Sequence, residues 1–140
     1  MIPFVDLKGQ YENTKAAIEP AVLNALDSGQ FVLGKEVAAF EEAFASYQQG
    51  QFAVGVNSGT SALRLALLAA GVGPGDEVIT VSCTFVATVA AIGYAGARPI
   101  YVDVDPVALN MGPGKIEAAI TSKTKAILPV HLHGQPADMD

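Results

Sequence analysis

Tryptophan is absent from this chain of 140 residues, and cysteine occurs once, at Cys83. A single thiol permits no intramolecular disulfide, so the fold must rest on its core, and a reducing, cytoplasmic compartment is expected. Charge is scarce too. Charged residues make up 16% of the chain against 51% hydrophobic, and mean hydropathy is +0.36. That balance excludes intrinsic disorder, which needs low hydrophobicity and high charge. Basic residues are the scarcer sign: 8 Lys and Arg face 14 Asp and Glu, for a net charge of −6. The basic footprint of a nucleic-acid binder is missing, as is a polybasic face for a membrane surface. Long apolar runs are also missing. The longest stretch, 85–97, is broken by Thr88, Gly93 and Gly96 and falls short of the roughly 20 residues that span a bilayer. Met1–Lys8 has no basic segment leading into an apolar run, so no signal peptide is expected.

The length suits one ordinary domain, and the pattern of residues changes along it. Ile18, Val22 and Leu26 recur at helical spacing, predicting a helix over 11–26 closed by Ser28-Gly29, with Pro20 predicting a kink or a restart. Val37, Phe40, Phe44 and Tyr47 predict a second amphipathic helix over 35–48. From there strands and helices alternate. Strands are predicted at 52–56, 77–81, 98–103 and 125–130, and helices at 61–70, 85–95 and 113–120. Ile79-Thr80-Val81 and Ala126-Ile127-Leu128 do not alternate apolar with polar, which suits strands buried on both faces. The fold class is therefore α/β, with a mostly parallel sheet flanked by helices. A helical segment over 1–50 would precede an α/β unit over 51–140.

The most informative stretch is Val54–Leu63, a strand candidate, then Asn57-Ser58-Gly59-Thr60-Ser61, then a helix. A helix N-terminus offers unpaired N–H groups and partial positive charge. Gly59 would let backbone approach an anion closely, and Ser58, Thr60 and Ser61 carry hydroxyl donors. The residues suit a phosphate site at the carboxyl end of a strand. They suit equally a simple N-cap. No GxxxxGK[ST] loop is present. Gly71-Val72-Gly73-Pro74-Gly75-Asp76 is glycine-rich but precedes a strand, so it reads as a connection without a ligand role. Phe85 lies in the loop after the next strand, on the same sheet edge. It can stack on a flat ring or simply fill the core. Cys83 reads as well as a small apolar residue as a reactive thiol. His131 and His133 would share a strand face, yet two imidazoles with no third ligand do not make a zinc site. Asp103, Asp105, Asp138 and Asp140 read as loop and turn carboxylates. No metal site is expected.

Taken in order, 4–7, 28–34, 57–63, 73–79, 84–88 and 130–140 carry a specific combination of motifs. Over essentially its whole length the chain resembles the N-terminal part of the DegT-type sugar aminotransferases. These are fold-type-I enzymes that depend on pyridoxal 5′-phosphate. The resemblance implies the N-terminal portion of the fold-type-I PLP-transferase large domain, and pyridoxal 5′-phosphate as cofactor. Its partners would be a nucleotide-linked keto sugar and an amino-acid donor, glutamate or glutamine. A homodimer or higher homo-oligomer is implied as well. Thr60 and Ser61, after Gly59, resemble the family's grip on the cofactor phosphate. Phe85 matches the aromatic against the pyridine ring, and Gly34 lies in the loop near the substrate entrance. His133 stands where the family often has Tyr, and is given no role.

The family's pyridinium-pairing aspartate and Schiff-base lysine follow the 130–140 motif. None of Lys8, Lys15, Lys35, Lys115, Lys123 and Lys125 matches that lysine. No catalytic residue is therefore assigned, and the chain as given is expected to be truncated and not to transaminate. The family sheet order of 3-2-4-5-6-7-1 would leave its first strand, 52–56, without its usual neighbours. Either that strand docks against the strand at 125–130, or the chain associates through exposed edges. Three other functions remain open. The chain can belong to a sugar dehydratase in which histidine replaces the lysine. It can be a non-catalytic remnant that self-associates or binds an anion. It can be a nucleotide-binding α/β domain, although no GxGxxG follows the first strand.

Overall fold

The computed structural model describes residues 4–139; the readings of Met1–Pro3 and Asp140 lie outside the described residues. The chain divides into two compact units, one through Gly55 and one from Val56 onward.

The first unit is two helices. α1 spans Leu7–Ser28. Asp6 caps it by accepting the Gly9 N–H at 2.9 Å. Gly29, at φ 64°, ends it in the left-handed conformation that glycine adopts without strain. The helix continues through Pro20 as one element. α2 spans Lys35–Tyr47, and Phe40 stacks on Phe44 with ring centroids 5.6 Å apart. Only Ala45 on α2 is buried, and no residue of α1 is.

The expected strand at 52–56 does not form. A strand needs a ladder partner for its N–H and C=O groups, and the sheet holds three strands without it. Phe52 and Val54 are exposed, and the Gly55 N–H turns instead to the Glu41 carboxylate at 2.6 Å. The expected pairing of a 52–56 strand with the strand near 125–130 is therefore not among the ladders of the described residues.

The second unit is α/β. α3 (Gly59–Ala69) leads through a glycine-rich turn into β1 (Glu77–Val81). Asp76 braces that turn by accepting the Gly73 N–H at 2.9 Å. α4 (Val86–Tyr94) and β2 (Arg98–Val102) follow. The helix expected over 113–120 is two short 3-10 turns, Pro113–Lys115 and Glu117–Ala119. β3 covers Thr124–Ile127. The sheet is parallel in the order β2-β1-β3, which agrees with the 3-2-4 part of the family order. β1 is central and buried along its whole length. Val78 faces Leu67, Ala91, Ile92 and Ala95 from α3 and α4. Ile79 and Val81 face the opposite side with Val102 and Met111. The apolar run of β1 thus serves two cores at once.

Candidate functional site

α3 and α4 are each joined to β1 by a short connection, and both run antiparallel to it. Their N-termini therefore stand at the carboxyl end of β1. The loops leaving β2 and β3 open at the same edge, because the three strands are parallel. The chain leaves β1 for β2 on one side and then crosses back from β2 to β3 on the other side of β1. Such a switch point is where open α/β sheets bind ligands.

At the start of α3, Ser58 is the N-cap. Its Oγ accepts the Ser61 N–H at 3.1 Å. The Ala62 N–H takes the Ser58 carbonyl at 3.0 Å. The N–H groups of Gly59 and Thr60 take no partner among the described residues. A Cβ built on Gly59 would meet nothing within 4 Å, so no neighbouring atom crowds that Cα. The expected N-cap at Ser58 is therefore present, and the backbone donors of Gly59 and Thr60 stay free beside it. Phe85 is the N-cap residue of α4 and is 72% exposed. The core reading of Phe85 is thus overturned: its ring is available to a ligand on this edge. Beneath it, the hydroxyls of Thr84 and Thr88 hydrogen-bond at 2.8 Å and pin the loop to the first turn of α4.

A cavity of about 600 Å³ lies on the same edge, lined by Cys83, Val107, Ala108, Leu109, Leu132, His133 and Gln135. Cys83 is exposed, so it is no buried apolar residue. His131 and His133 do not share a strand face. β3 ends at Ile127, and a 3-10 turn at Leu132–Gly134 puts His133 at φ 54°. Among the described residues no group of three or more His, Cys, Asp or Glu is placed to hold a metal ion. Nor is any helix long and apolar enough to cross a membrane. Asp105 accepts the N–H groups of Ala108 and Val107, each at 2.8 Å, which hold its carboxyl below the usual range. Sequence reasoning missed Asn110. Asn110 is buried and donates to the carbonyls of Gln135 and Pro136. No local pattern reveals that contact, because the partners lie on a different loop.

Residues 12–140 match the model of the DegT/DnrJ/EryC1/StrS aminotransferase family. The chain belongs to that family. It is 48% identical over 139 residues to a pleiotropic regulatory protein of Geobacillus stearothermophilus, covering 99% of this chain and 37% of the relative. Identity is also 48%, with the same coverage, to the dTDP-3-amino-3,4,6-trideoxy-alpha-D-glucose transaminase of Streptomyces venezuelae. It is 46% to the UDP-2-acetamido-2-deoxy-3-oxo-D-glucuronate aminotransferase of Pseudomonas aeruginosa, covering 100% of this chain and 39% of the relative. The chain thus spans less than two fifths of the length of these curated relatives. Among solved structures, DesV of S. venezuelae in complex with a ketimine intermediate superposes with TM-score 0.93 at 48% identity, covering 99% of this chain and 37% of that one. NtdA of Bacillus subtilis, with bound cofactor PMP, gives 0.92 at 38% identity, covering 99% and 32%. The architecture of a fold-type-I large domain, in its N-terminal portion, is therefore established for this family member.

Proposed function

We propose that this chain is the N-terminal portion of a pyridoxal 5′-phosphate-dependent aminotransferase that aminates nucleotide-linked keto sugars. The observation that carries the proposal is the pair of unpartnered N–H groups at Gly59 and Thr60, at a helix N-terminus with no atom crowding the Gly59 Cα. In this role the two N–H groups and the hydroxyls of Thr60 and Ser61 receive the cofactor phosphate. The positive end of α3 adds to their attraction. Gly59 keeps the approach open, and Phe85 covers one face of the pyridine ring. When bound, the cofactor supplies the electron sink and carries the amine. The family resemblance places the lysine that transfers the amine outside these residues. The substrate class and the amino-acid donor follow from the named relatives and the family resemblance. Supporting the accompanying proposal of a homo-oligomer are the apolar side chains left exposed on α1, among them Val22, Leu23 and Leu26; the proposal of a cytoplasmic compartment rests on the single cysteine.

Titration of the 15N-labelled chain with pyridoxamine 5′-phosphate tests the proposal, since this amine form does not couple to surface lysines. The amide resonances of Gly59 and Thr60 are expected to move. Pyridoxamine lacking the phosphate should leave them in place. Equal responses to both compounds, or no response at Gly59, would refute the phosphate role.

A further inference from the structure

Asn110 is 4% exposed in the loop after β2. Its side-chain nitrogen donates to the Gln135 carbonyl at 2.8 Å and the Pro136 carbonyl at 2.9 Å, both in the loop after β3. A side-chain amide has two such hydrogens, and both are used. Asn110 is itself held firmly. Its backbone carbonyl accepts the Asp105 N–H at 2.8 Å, and a bridge between Val104 and Met111 closes its loop. β1 lies between β2 and β3, so this tie spans the carboxyl end of the central strand.

The residue after Pro136 is Ala137, buried at 5% exposure. It donates its N–H to His131 Nδ1 at 2.9 Å. An imidazole nitrogen that accepts a hydrogen bond carries no proton, so the neutral ring holds its hydrogen on Nε2. His131 is exposed, and its Nε2 takes no partner among the described residues.

We infer that Asn110 is a positioning residue. By gripping Gln135 and Pro136 it sets the Ala137 N–H against His131 Nδ1. His131 is thereby fixed as an Nε2–H donor toward an oxygen of the ligand at the carboxyl edge of the sheet. The identity of that ligand, a pyridine-based phosphate ester, rests on the function proposed above; the tautomer lock does not. Here the donor is committed to one nitrogen before any ligand arrives, which lowers the reorganisation needed on binding.

The test reads the imidazole nitrogens of the 15N-labelled full chain. In the unaltered protein, His131 Nδ1 is expected to be unprotonated and to show a coupling across the hydrogen bond to the Ala137 amide nitrogen. A mixture of tautomers there would overturn the inference without any variant. Asn110→Ala is expected to abolish the coupling and populate both tautomers, while the β1 amides of Val78 and Ile79 stay dispersed. Asn110→Asp keeps the volume but removes both donors, so it is expected to behave like the alanine variant. Retention of the full coupling in the aspartate variant would overturn the inference. On addition of pyridoxamine 5′-phosphate, the His131 Nε2 resonance is expected to move in the unaltered protein and to lose that response in Asn110→Ala. A motionless His131 overturns the donor role. The Gly59 amide, read in the same spectra, shows whether the phosphate assignment stands or falls separately.

Discussion

Ser58 and Ser61 close on each other at the start of α3: Ser58 Oγ accepts the Ser61 N–H at 3.1 Å and donates to Ser61 Oγ at 3.1 Å. The capping oxygen therefore consumes one of the first free N–H groups and leaves those of Gly59 and Thr60 for a ligand. Capping and anion binding become separable by mutation. Ser58→Ala is expected to cost about 1 kcal/mol of stability, the usual price of a lost cap. A thermal melt should show a midpoint lower by roughly 4 °C. Phosphate-ester binding is expected to persist, because the two receiving N–H groups are untouched.

Gly59→Ala should do the reverse. The position has no left-handed backbone angle and no neighbour within 4 Å of a new Cβ. The fold accepts alanine, and stability is expected to be unchanged or higher by up to about 1 kcal/mol. On the proposed function, however, the added methyl group would crowd a phosphate that approaches this first turn closely. Calorimetry with pyridoxamine 5′-phosphate is expected to show weakened binding beside an undiminished melting temperature. Unchanged affinity would count against an anion held at this turn.

The two variants also show how far the sequence could be read. Strand 77–81 was legible because both its faces are apolar, and its two-sided burial by Val78 and Ile79 follows directly. The small polar turn at 57–61 was legible because strand, glycine and hydroxyls announce a helix start. Residues 52–56 have the composition of a strand but form none, because strand formation depends on a neighbour that composition does not supply. The helix expected over 113–120 broke into 3-10 turns, with Pro113 and Gly114 at its start. Phe85 was ambiguous, since an aromatic after a strand serves a core or a ligand equally well. Its exposure removes the core reading, and no local pattern encodes exposure. Asn110 was invisible for a similar reason: its partners are 25 and 26 residues away.

Because Phe85 is largely exposed, Phe85→Ala is expected to leave the melting temperature nearly unchanged, within about 0.5 kcal/mol of stability. Loss of ring stacking removes about 0.5–1.5 kcal/mol of binding, a weakening of roughly two- to tenfold. Phe85→Tyr should restore it. A large fall in melting temperature for the alanine variant would place this ring in the core instead.

Ile92 on α4 is fully buried against Leu67, Val78 and Ala91. Ile92→Ala is expected to cost about 2–5 kcal/mol through lost burial and the void left behind, and Ile92→Val about 0.5–1.5 kcal/mol. Urea unfolding followed by far-ultraviolet circular dichroism measures both. Equal effects of the two substitutions would mean that the helix-sheet core does not limit stability.

Glu77 joins the amino ends of all three strands. It is buried on β1, accepts the Thr121 hydroxyl at 2.6 Å before β3, and pairs with Arg98 of β2 at 2.5 Å. The Thr121 hydrogen bond first, and Arg98 second, hold its carboxyl below the ordinary value of 4.5. A carboxylate whose folded value is depressed binds fewer protons when folded than when unfolded. Its contribution is therefore complete above the unfolded value and is lost as pH falls through the folded one. Stability is expected to hold from neutral pH down to near 5 and then decline. Asp105, also depressed, adds to the same decline, so the slope alone does not identify Glu77. The difference between the unaltered chain and Glu77→Gln does. Glutamine keeps one oxygen, which can accept from Thr121 or from Arg98 but does not replace both carboxylate oxygens, and it cannot titrate, so the variant is expected to be less stable at neutral pH and to lose less on acidification. The two urea-midpoint curves should converge toward pH 3. Parallel curves across that range would show that Glu77 carries no charge-dependent share of the fold.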